Sequence, residues 1–362
     1  MEISQEAPAD DPWPGYFAGR GHPGALRIGS GAEGVVYRLG PGRVAKVWAG
    51  RPPIELTRRV YTDLARHRLP FATPEIFEVV EHEGVLVTYE RELPGVPMGR
   101  DHPEEEFGRE LPAHHADALL TVLRGLASVP GTDAMRRLTF QGDDRPLWQG
   151  HDRFQDALAA LVGRAVARNG DALAALVERT AVRPGAAPAA RVRDYGTAPD
   201  SLAPDYGAAP ASRAPDHGTA PDSRAPDFGA GVKRTLDALR SLPTGPVTAI
   251  HGDLVPPNIH VDAAGRPVAV LDFGFCTTAG DPAFEAAVTA AFWDMYGPYA
   301  EEHATELTRL FAERLGHPQE TLAVYQAVYA LISYDLFGMG ADDGHFRWCA
   351  ALLRRNPVFT AS

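Results

Sequence analysis

Three side chains in the C-terminal half of the chain have types and spacing that could do chemistry together. Asp253 and Asn258 lie five residues apart in the segment HGDLVPPN, and Asp272 follows in VLDFGF. An amide oxygen and a carboxylate suit a hard divalent cation such as Mg²⁺, and a further carboxylate can accept a proton from an attacking hydroxyl. The pattern predicts chemistry on metal-held phosphate groups, with Asp253 as catalytic base and Asn258 and Asp272 as metal ligands.

A hairpin is the element that must bring these residues together. The runs NIHV and PVAVLDF are typical of strands, and they flank the turn DAAGR. If the turn centres near Ala264 and Gly265, antiparallel pairing places Asn258 opposite Leu271 and Asp272. Each motif alone is a weak signal, since a loop aspartate can cap its own backbone and asparagine is a common turn former. The loop, its spacing and the hairpin together favour the functional interpretation.

The tripeptide Asp-Phe-Gly occurs a second time, at residues 227–229. This copy is the beginning of a fourth unit in a repeat of about 11 residues, which is rich in proline, glycine, alanine and aspartate. Such a composition predicts a disordered or polyproline-like insertion, here over residues 183–231, and no chemical role for this copy. The units start at Asp194, Asp205, Asp216 and Asp227.

A glycine-rich segment, RIGSGAEGVVYRLGPGRVAKVW, has the chemistry to hold phosphates. Its G-x-G-x-x-G spacing is followed by a strand-like run, which favours a nucleotide-covering hairpin over a dinucleotide fold, where a helix should follow. Lys46, one of only two lysines with Lys233, is predicted to reach the α- and β-phosphates. Glu55 is the expected partner of Lys46, with a helix-start carboxylate or a surface charge as alternatives. The predicted nucleotide-binding residues here are Gly29, Ser30, Gly31, Gly34, Val36, Lys46 and Glu55.

The surrounding patterns predict an α+β protein. Short β-type runs and one helix, in PPIELTRRVYTDLARHRL, indicate a small antiparallel sheet with one helix laid on it. Longer amphipathic segments follow and indicate a larger, mainly helical part. The predicted divisions are a disordered tail (1–20), a nucleotide-binding N-lobe (21–92), a first C-lobe part (93–182), the repeat insertion (183–231) and a second C-lobe part (232–362).

Composition excludes several function classes. The 362 residues are 44% hydrophobic, which is enough for a sizeable core, and the formal charge of −12 disfavours nucleic acid as a partner. No stretch approaches the roughly 18 apolar residues of a membrane span. The N-terminal residues lack a signal-peptide pattern, and Cys276 and Cys349 have no metal-ligand spacing. We therefore expect a cytoplasmic protein with reduced thiols and no membrane contact; the sequence predicts no oligomeric state.

The motifs HGDLVPPN, VLDFGF and GDPAFEAA resemble those of the aminoglycoside phosphotransferase family, over most of residues 25–300. The resemblance implies a bilobal protein kinase-like fold, ATP or GTP with Mg²⁺ as cofactors, and a small-molecule hydroxyl as acceptor. It also implies that Glu90, Arg91 and Glu92 form the adenine-contacting hinge, and it puts Glu285 at the second acidic position of a G-D-P-x-x-D-L-A motif. The helix departs from the family, because LTRRVY replaces the usual Arg-Glu-Ala run next to Glu55.

The identity of the acceptor stays open at this stage. An aminoglycoside or other cationic antibiotic is the first expectation, and acidic residues at 101–110 and 301–306 could bind its amines or simply be solvated. Aromatic residues in FWDMYGPYA could line a cleft or belong to the core. Alternatives are a kinase of an amino alcohol, homoserine or sugar, an atypical protein kinase, and a nucleotide-binding pseudokinase scaffold. The few residues between Asp272 and GDPAFEAA leave no room for a protein kinase activation segment.

Overall fold

A computed structural model describes the protein over residues 11–31, 33–99, 107–140, 142–178, 226–336 and 344–361. In the N-lobe, β-branched and aromatic runs separated by glycine turns pair as hairpins, as such patterns favour. Its elements are α1 (Trp13–Gly19), β1 (Leu26–Gly31), β2 (Gly34–Gly40), β3 (Arg43–Trp48), α2 (Ile54–Ala65), β4 (Ile76–His82) and β5 (Val85–Arg91).

The five N-lobe strands form one antiparallel sheet in the order β1-β2-β3-β5-β4, and this confirms the predicted small sheet. β3 lies at its centre, so the residues of β3 have paired neighbours on both sides. β4 is an addition to the prediction. Its sequence IFEVVEH occupies an edge of the sheet and exposes charged residues, so the alternation that signals a strand is weak there.

The predicted disordered tail is wrong over the residues that the structure describes. Residues 1–10 lie outside the described part, but Trp13–Gly19 form α1, with prolines in its first turn as helix starts often have. Phe17 is fully buried, and its ring centroid lies 5.2 Å from that of Tyr37. Asp11 accepts a hydrogen bond of 2.6 Å from the Tyr37 hydroxyl. Apolar contact with the sheet orders this segment. The sequence of the segment has no periodicity, so it could not indicate this contact.

The C-lobe is mainly helical, as predicted. Its helix α7 is buried from Ala283 to Phe292 and packs against α8 and α9. None of the helices in the described ranges is long and apolar enough to cross a membrane. The elements are β6 (Val96–Pro97), α3 (Ala113–Ala127), α4 (Asp133–Arg136), α5 (Phe154–Val177), α6 (Phe228–Ser241), β7 (Thr248–Ile250), a 3₁₀ turn (Pro256–Asn258), β8 (Ile259–Val261), β9 (Pro267–Val270), β10 (Thr278–Gly280), α7 (Pro282–Phe292), α8 (Ala300–Leu315), α9 (Gln319–Ser333), α10 (Gly344–Arg355) and α11 (Pro357–Thr360).

The end of the predicted insertion is also corrected. Residues 183–225 lie outside the described part. Residues 226–231 contain the start of α6, so the Asp-Phe-Gly at 227–229 is folded. Asp227 caps this helix by accepting a 2.9 Å hydrogen bond from the backbone N–H of Ala230. Phe228 is buried and packs near Phe359, with ring centroids 5.9 Å apart. Asp227 is thus a helix cap and Phe228 a core residue, so both have structural roles.

The two described segments on either side of residues 179–225 are hydrogen-bonded to each other. The carboxylate of Glu178, just after α5, accepts a 3.0 Å hydrogen bond from the backbone N–H of Phe228. We expect replacement of residues 194–225 by a short Gly/Ser linker to leave the melting temperature and turnover nearly unchanged. A second variant that extends the replacement to 229 should melt lower, because it removes the Asp227 cap and the Phe228 side chain. Thermal unfolding of both variants checks this, and equal loss in the two would contradict it.

Candidate active site

The hairpin of β8 and β9 has the register that the sequence predicts. Ile259 pairs with Val270, and the backbone N–H of Leu271 donates to the Asn258 carbonyl over 2.9 Å. Asp262 closes the turn by accepting a hydrogen bond from the Ala264 N–H at 2.9 Å. Asn258 therefore lies beside the residue that precedes Asp272, as the predicted site requires.

Asp253 and Asn258 contact each other directly. The Asn258 side-chain nitrogen donates to the Asp253 carbonyl at 2.8 Å and to its carboxylate at 3.2 Å, which leaves the amide oxygen for another partner. Burial, together with the charge of Asp272, raises the pKa of the Asp253 carboxyl to about 7, although the hydrogen bond from Asn258 opposes the shift. A carboxyl with a pKa near neutrality is suited to proton transfer.

The loop that carries Asp253 is fixed from below by His251 and Glu285. The backbone N–H of Asp253 donates to His251 Nδ1 at 3.1 Å, so Nε2 carries the proton that it donates to the Leu271 carbonyl at 2.6 Å. Burial lowers the pKa of His251 to about 4, and the ring is neutral. Gly252 has φ +77°, and a Cβ there would lie 2.6 Å from Cys276, so this position requires glycine.

Glu285 accepts hydrogen bonds from the backbone N–H groups of His251 and Gly252, the latter at 3.1 Å and 3.2 Å. Glu285 lies in the first turn of α7 and is buried, so it connects the loop that carries Asp253 to this helix. Burial, together with the charge of Asp253, raises the pKa of Glu285 to about 8, although the backbone N–H groups of Gly252 and His251 oppose the shift.

The raised pKa of Glu285 predicts a pH-dependent stability. The folded state holds this proton more tightly than the unfolded chain, so the contribution is complete below pH 4.5 and is lost as pH rises to about 8. Glu285→Gln cannot ionise, and its amide oxygen can still accept from the loop. We expect the free energy of unfolding of Glu285→Gln to increase relative to that of the wild type as pH rises across that window. Denaturant titrations at several pH values measure this, and a constant difference would contradict it.

Asp272 has an unusual backbone for its type, with φ +62°. The next residue, Phe273, is buried, with its ring centroid 4.4 Å from that of His251 and 6.2 Å from that of Tyr61. This anchor holds the strained residue, while half of the Asp272 side chain stays exposed to the cavity.

Lys46 crosses from the N-lobe sheet to the C-lobe loop. Its ammonium lies 3.0 Å from the Asp272 carboxylate and 2.6 Å from that of Glu33, and 4.1 Å from the ring centroid of Trp48. Burial lowers the pKa of Lys46, but the charges of Asp272 and Glu33 outweigh it, so the pKa lies above its ordinary value and the ammonium stays charged.

The glycine-rich segment forms a hairpin over this ammonium. Gly29 pairs with Val36, and Ser30 and Gly31 pair across to the start of β2. Gly34 has φ +149°, and a Cβ there would lie 2.0 Å from the Val47 carbonyl oxygen, so a side chain is excluded. In β3, Lys46 is the register partner of Val36.

Two of the predicted assignments are not brought into the site. Glu55 is exposed on the first turn of α2, and Glu33 rather than Glu55 is the glutamate paired with Lys46. The hinge is engaged within the N-lobe, since the backbone N–H groups of Arg91 and Glu92 donate to the carbonyls of Glu75 and Gly42. Neither Glu90, Arg91 nor Glu92 lines the cavity, and adenine contact by this hinge stays a prediction.

These elements enclose one cavity of about 390 Å³, a size that suits a small ligand. It contains Asp253, Asp272, Lys46 and the glycine hairpin. The sequence does not predict Glu33, because nothing in its spacing marks a carboxylate at a hairpin tip. For the aromatic stretch FWDMYGPYA it predicts either a place in the cavity lining or a place in the core. The remaining lining residues are Val255, Phe275, Met295, Tyr296, Tyr329 and His345.

The donor set fits a magnesium ion that is shared with phosphates. In the described ranges no group of three or more His, Cys, Asp or Glu side chains could hold a metal by itself. Asn258 and Asp272 supply two oxygen donors, and Mg²⁺ commonly takes one or two protein oxygens together with substrate phosphates. The free amide oxygen of Asn258 and the half-exposed carboxylate of Asp272 are of this kind.

The sequence profile described as "Phosphotransferase enzyme family" matches residues 24–320. The chain belongs to this phosphotransferase family. The phosphotransferase thus has the kinase-like fold and the family that the motifs predicted, and it is an enzyme of phosphoryl transfer. No curated protein gives a significant match to its sequence.

Solved structures of other phosphotransferases share the fold. A macrolide 2'-phosphotransferase type I is 17% identical with a TM-score of 0.50, and all of both chains is covered. The complex of APH(2")-IIia with GDP and kanamycin is 14% identical with a TM-score of 0.53, covering 95% of this chain and 96% of that one. A ternary complex of APH(2")-IIa with streptomycin and ATP is 12% identical with a TM-score of 0.51, covering 98% and 99%.

Proposed function

We propose that this phosphotransferase moves the terminal phosphoryl group of ATP or GTP, with Mg²⁺, to a hydroxyl of a small molecule. The observation that carries the proposal is the convergence of Lys46, Asp253 and Asp272 on one cavity below a glycine hairpin. Asn258 does not line this cavity, but its side-chain nitrogen donates to the Asp253 carboxylate. Structures with the same fold are complexes with ATP or GDP, which supports nucleotide use.

The residues divide the work of phosphoryl transfer. Lys46 would bind phosphate oxygens, and the backbone N–H groups of the glycine hairpin would lie against them. Mg²⁺ held by Asn258 and Asp272 would neutralise charge on the phosphates. Asp253 would orient the acceptor hydroxyl and take its proton, and Glu285 and His251 would keep the Asp253 loop in place.

The acceptor end of the cavity favours a substrate with an apolar face. Its described lining includes Phe275, Met295, Tyr296 and Tyr329, and the lining carboxylates are Glu33, Asp253 and Asp272, at the phosphate end. The acidic residues 301–306 form a separate exposed face of α8, where Glu302 lies 3.5 Å from Arg109. Residues 101–106 of the other acidic segment lie outside the described part. An amphipathic antibiotic is thus favoured over a purely polycationic one.

Nucleotide consumption tests the proposal across macrolides, aminoglycosides, peptide antibiotics, amino alcohols and sugars. We expect Mg²⁺-dependent consumption with an acceptor that carries an apolar face, and a phosphorylated product by mass spectrometry. Phosphate on polypeptide in a cell extract would instead favour the protein kinase alternative, which the short path from Asp272 through β10 to α7 disfavours. Nucleotide binding without turnover on any acceptor would favour a pseudokinase scaffold.

A further inference from the structure

The Glu33 side chain occupies the phosphate end of the cavity. Its Oε2 lies 2.6 Å from the Lys46 ammonium, and its Oε1 lies 2.7 Å from the position that a Cβ on Gly274 would take. The side chain is 35% exposed, so it is held mainly by this ion pair. Glu33 thus connects the tip of the glycine hairpin with the loop that carries Asp272.

The cation that Glu33 holds is the one that a nucleotide needs. Among the described residues lining the cavity, Lys46 is the only lysine or arginine, against the carboxylates of Glu33, Asp253 and Asp272. An ammonium has three donors, and two of them are directed at Glu33 and Asp272. A phosphate that binds Lys46 in this cavity must therefore compete with a carboxylate already there.

We propose that the Glu33 carboxylate holds the place of a nucleotide phosphate on Lys46 and is exchanged for that phosphate when the nucleotide binds. The inference rests on the proposed function. The backbone of Glu33 is fixed, since its carbonyl accepts a 2.9 Å hydrogen bond from the N–H of Ala49, so rotation of the side chain suffices for the exchange. The reverse exchange returns the carboxylate to Lys46 and favours release of the spent nucleotide.

The opposite role for Glu33 is that of a permanent partner that orients Lys46, as the sequence suggested for Glu55. Two observations disfavour it. Asp272 already contacts the ammonium at 3.0 Å, and a carboxylate that stayed beside Gly274 would face the phosphates with like charge. The two roles differ in sign, because loss of a competitor strengthens nucleotide binding and loss of an orienting partner weakens it.

Calorimetric titration with ADP in EDTA separates the roles without any need for turnover. We expect Glu33→Gln and Glu33→Ala to bind ADP about tenfold more tightly than the wild type. In these variants the phosphate no longer has to displace a carboxylate from a partly exposed, charge-assisted pair with Lys46. Adenosine lacks phosphates, and its affinity should not change. Glu320→Gln removes one negative charge from an exposed position on α9 outside the cavity and should leave ADP affinity unchanged.

The outcomes are distinct. Equal or weaker ADP binding by both Glu33 variants overturns the inference, and so does an equal gain for adenosine, because the effect would then not concern phosphate. If neither the wild type nor Glu33→Gln binds ADP or, in the same titration, GDP, the proposed function fails together with the inference. Binding by the wild type without a gain in the variants rejects the inference alone. Melting curves confirm that each variant is folded.

Discussion

Asp253→Asn should lower the turnover number by about 10²- to 10⁴-fold, the range for loss of a general base. Asparagine keeps the size of the side chain and can still accept the hydrogen bond from Asn258, but it cannot take a proton. Because burial and the charge of Asp272 oppose ionisation of Asp253, the neutral variant should melt no lower than the wild type. Steady-state kinetics with the acceptor found in the panel, together with melting curves, measure both effects.

The matched control for Asp253 lies in the hairpin that follows its loop. Asp262 lies at the turn, where its carboxylate lies 2.7 Å from the Arg266 guanidinium, and it does not line the cavity. Asp262→Asn should keep wild-type turnover. Retention of more than about a tenth of the activity by Asp253→Asn would remove this residue from the role of base.

Asp272→Asn should reduce turnover by about 10³-fold or more, since it removes the proposed magnesium ligand and a charged partner of Lys46. Asparagine tolerates the left-handed backbone of this position as aspartate does, whereas alanine would add strain. The variant should therefore stay folded. ADP titrations with and without Mg²⁺ provide the second readout, because Asp272→Asn should lose the effect of Mg²⁺ on ADP binding.

The other Asp-Phe-Gly tripeptide supplies the control for Asp272. Asp227→Asn makes the same change in the same local sequence, and asparagine is an equally good helix cap, so α6 and turnover should be preserved. A similar loss of turnover in the two variants would show that the Asp272 effect is not specific to the site. Normal Mg²⁺-dependent turnover in Asp272→Asn would exclude it as a necessary ligand.

The parts of the site that the sequence predicted are the local ones. The register of the hairpin depends on a short turn and on alternating side chains, so the position of Asn258 beside Leu271 follows from a stretch of 14 residues. The glycine hairpin and its register with Lys46 follow in the same way. Local rules failed for Phe17, because its contacts are with strands that lie later in the chain, and for β4, because an edge strand has few constraints on its pattern.

The sequence alone predicted the fold class and the family, which are confirmed, because motif spacing and hairpin geometry act over short distances. It also named Lys46, Asp253, Asn258 and Asp272 as the candidate site residues, and their roles stay a prediction. It named Glu55 as the partner of Lys46 and missed Glu33, since no local pattern marks Glu33, and the other pair, with Asp272, joins residues 226 positions apart. Only the tertiary structure brought Glu33 to the ammonium and the aromatic residues of the C-terminal helices to the cavity. Packing between distant segments selects those partners, and no local pattern encodes it.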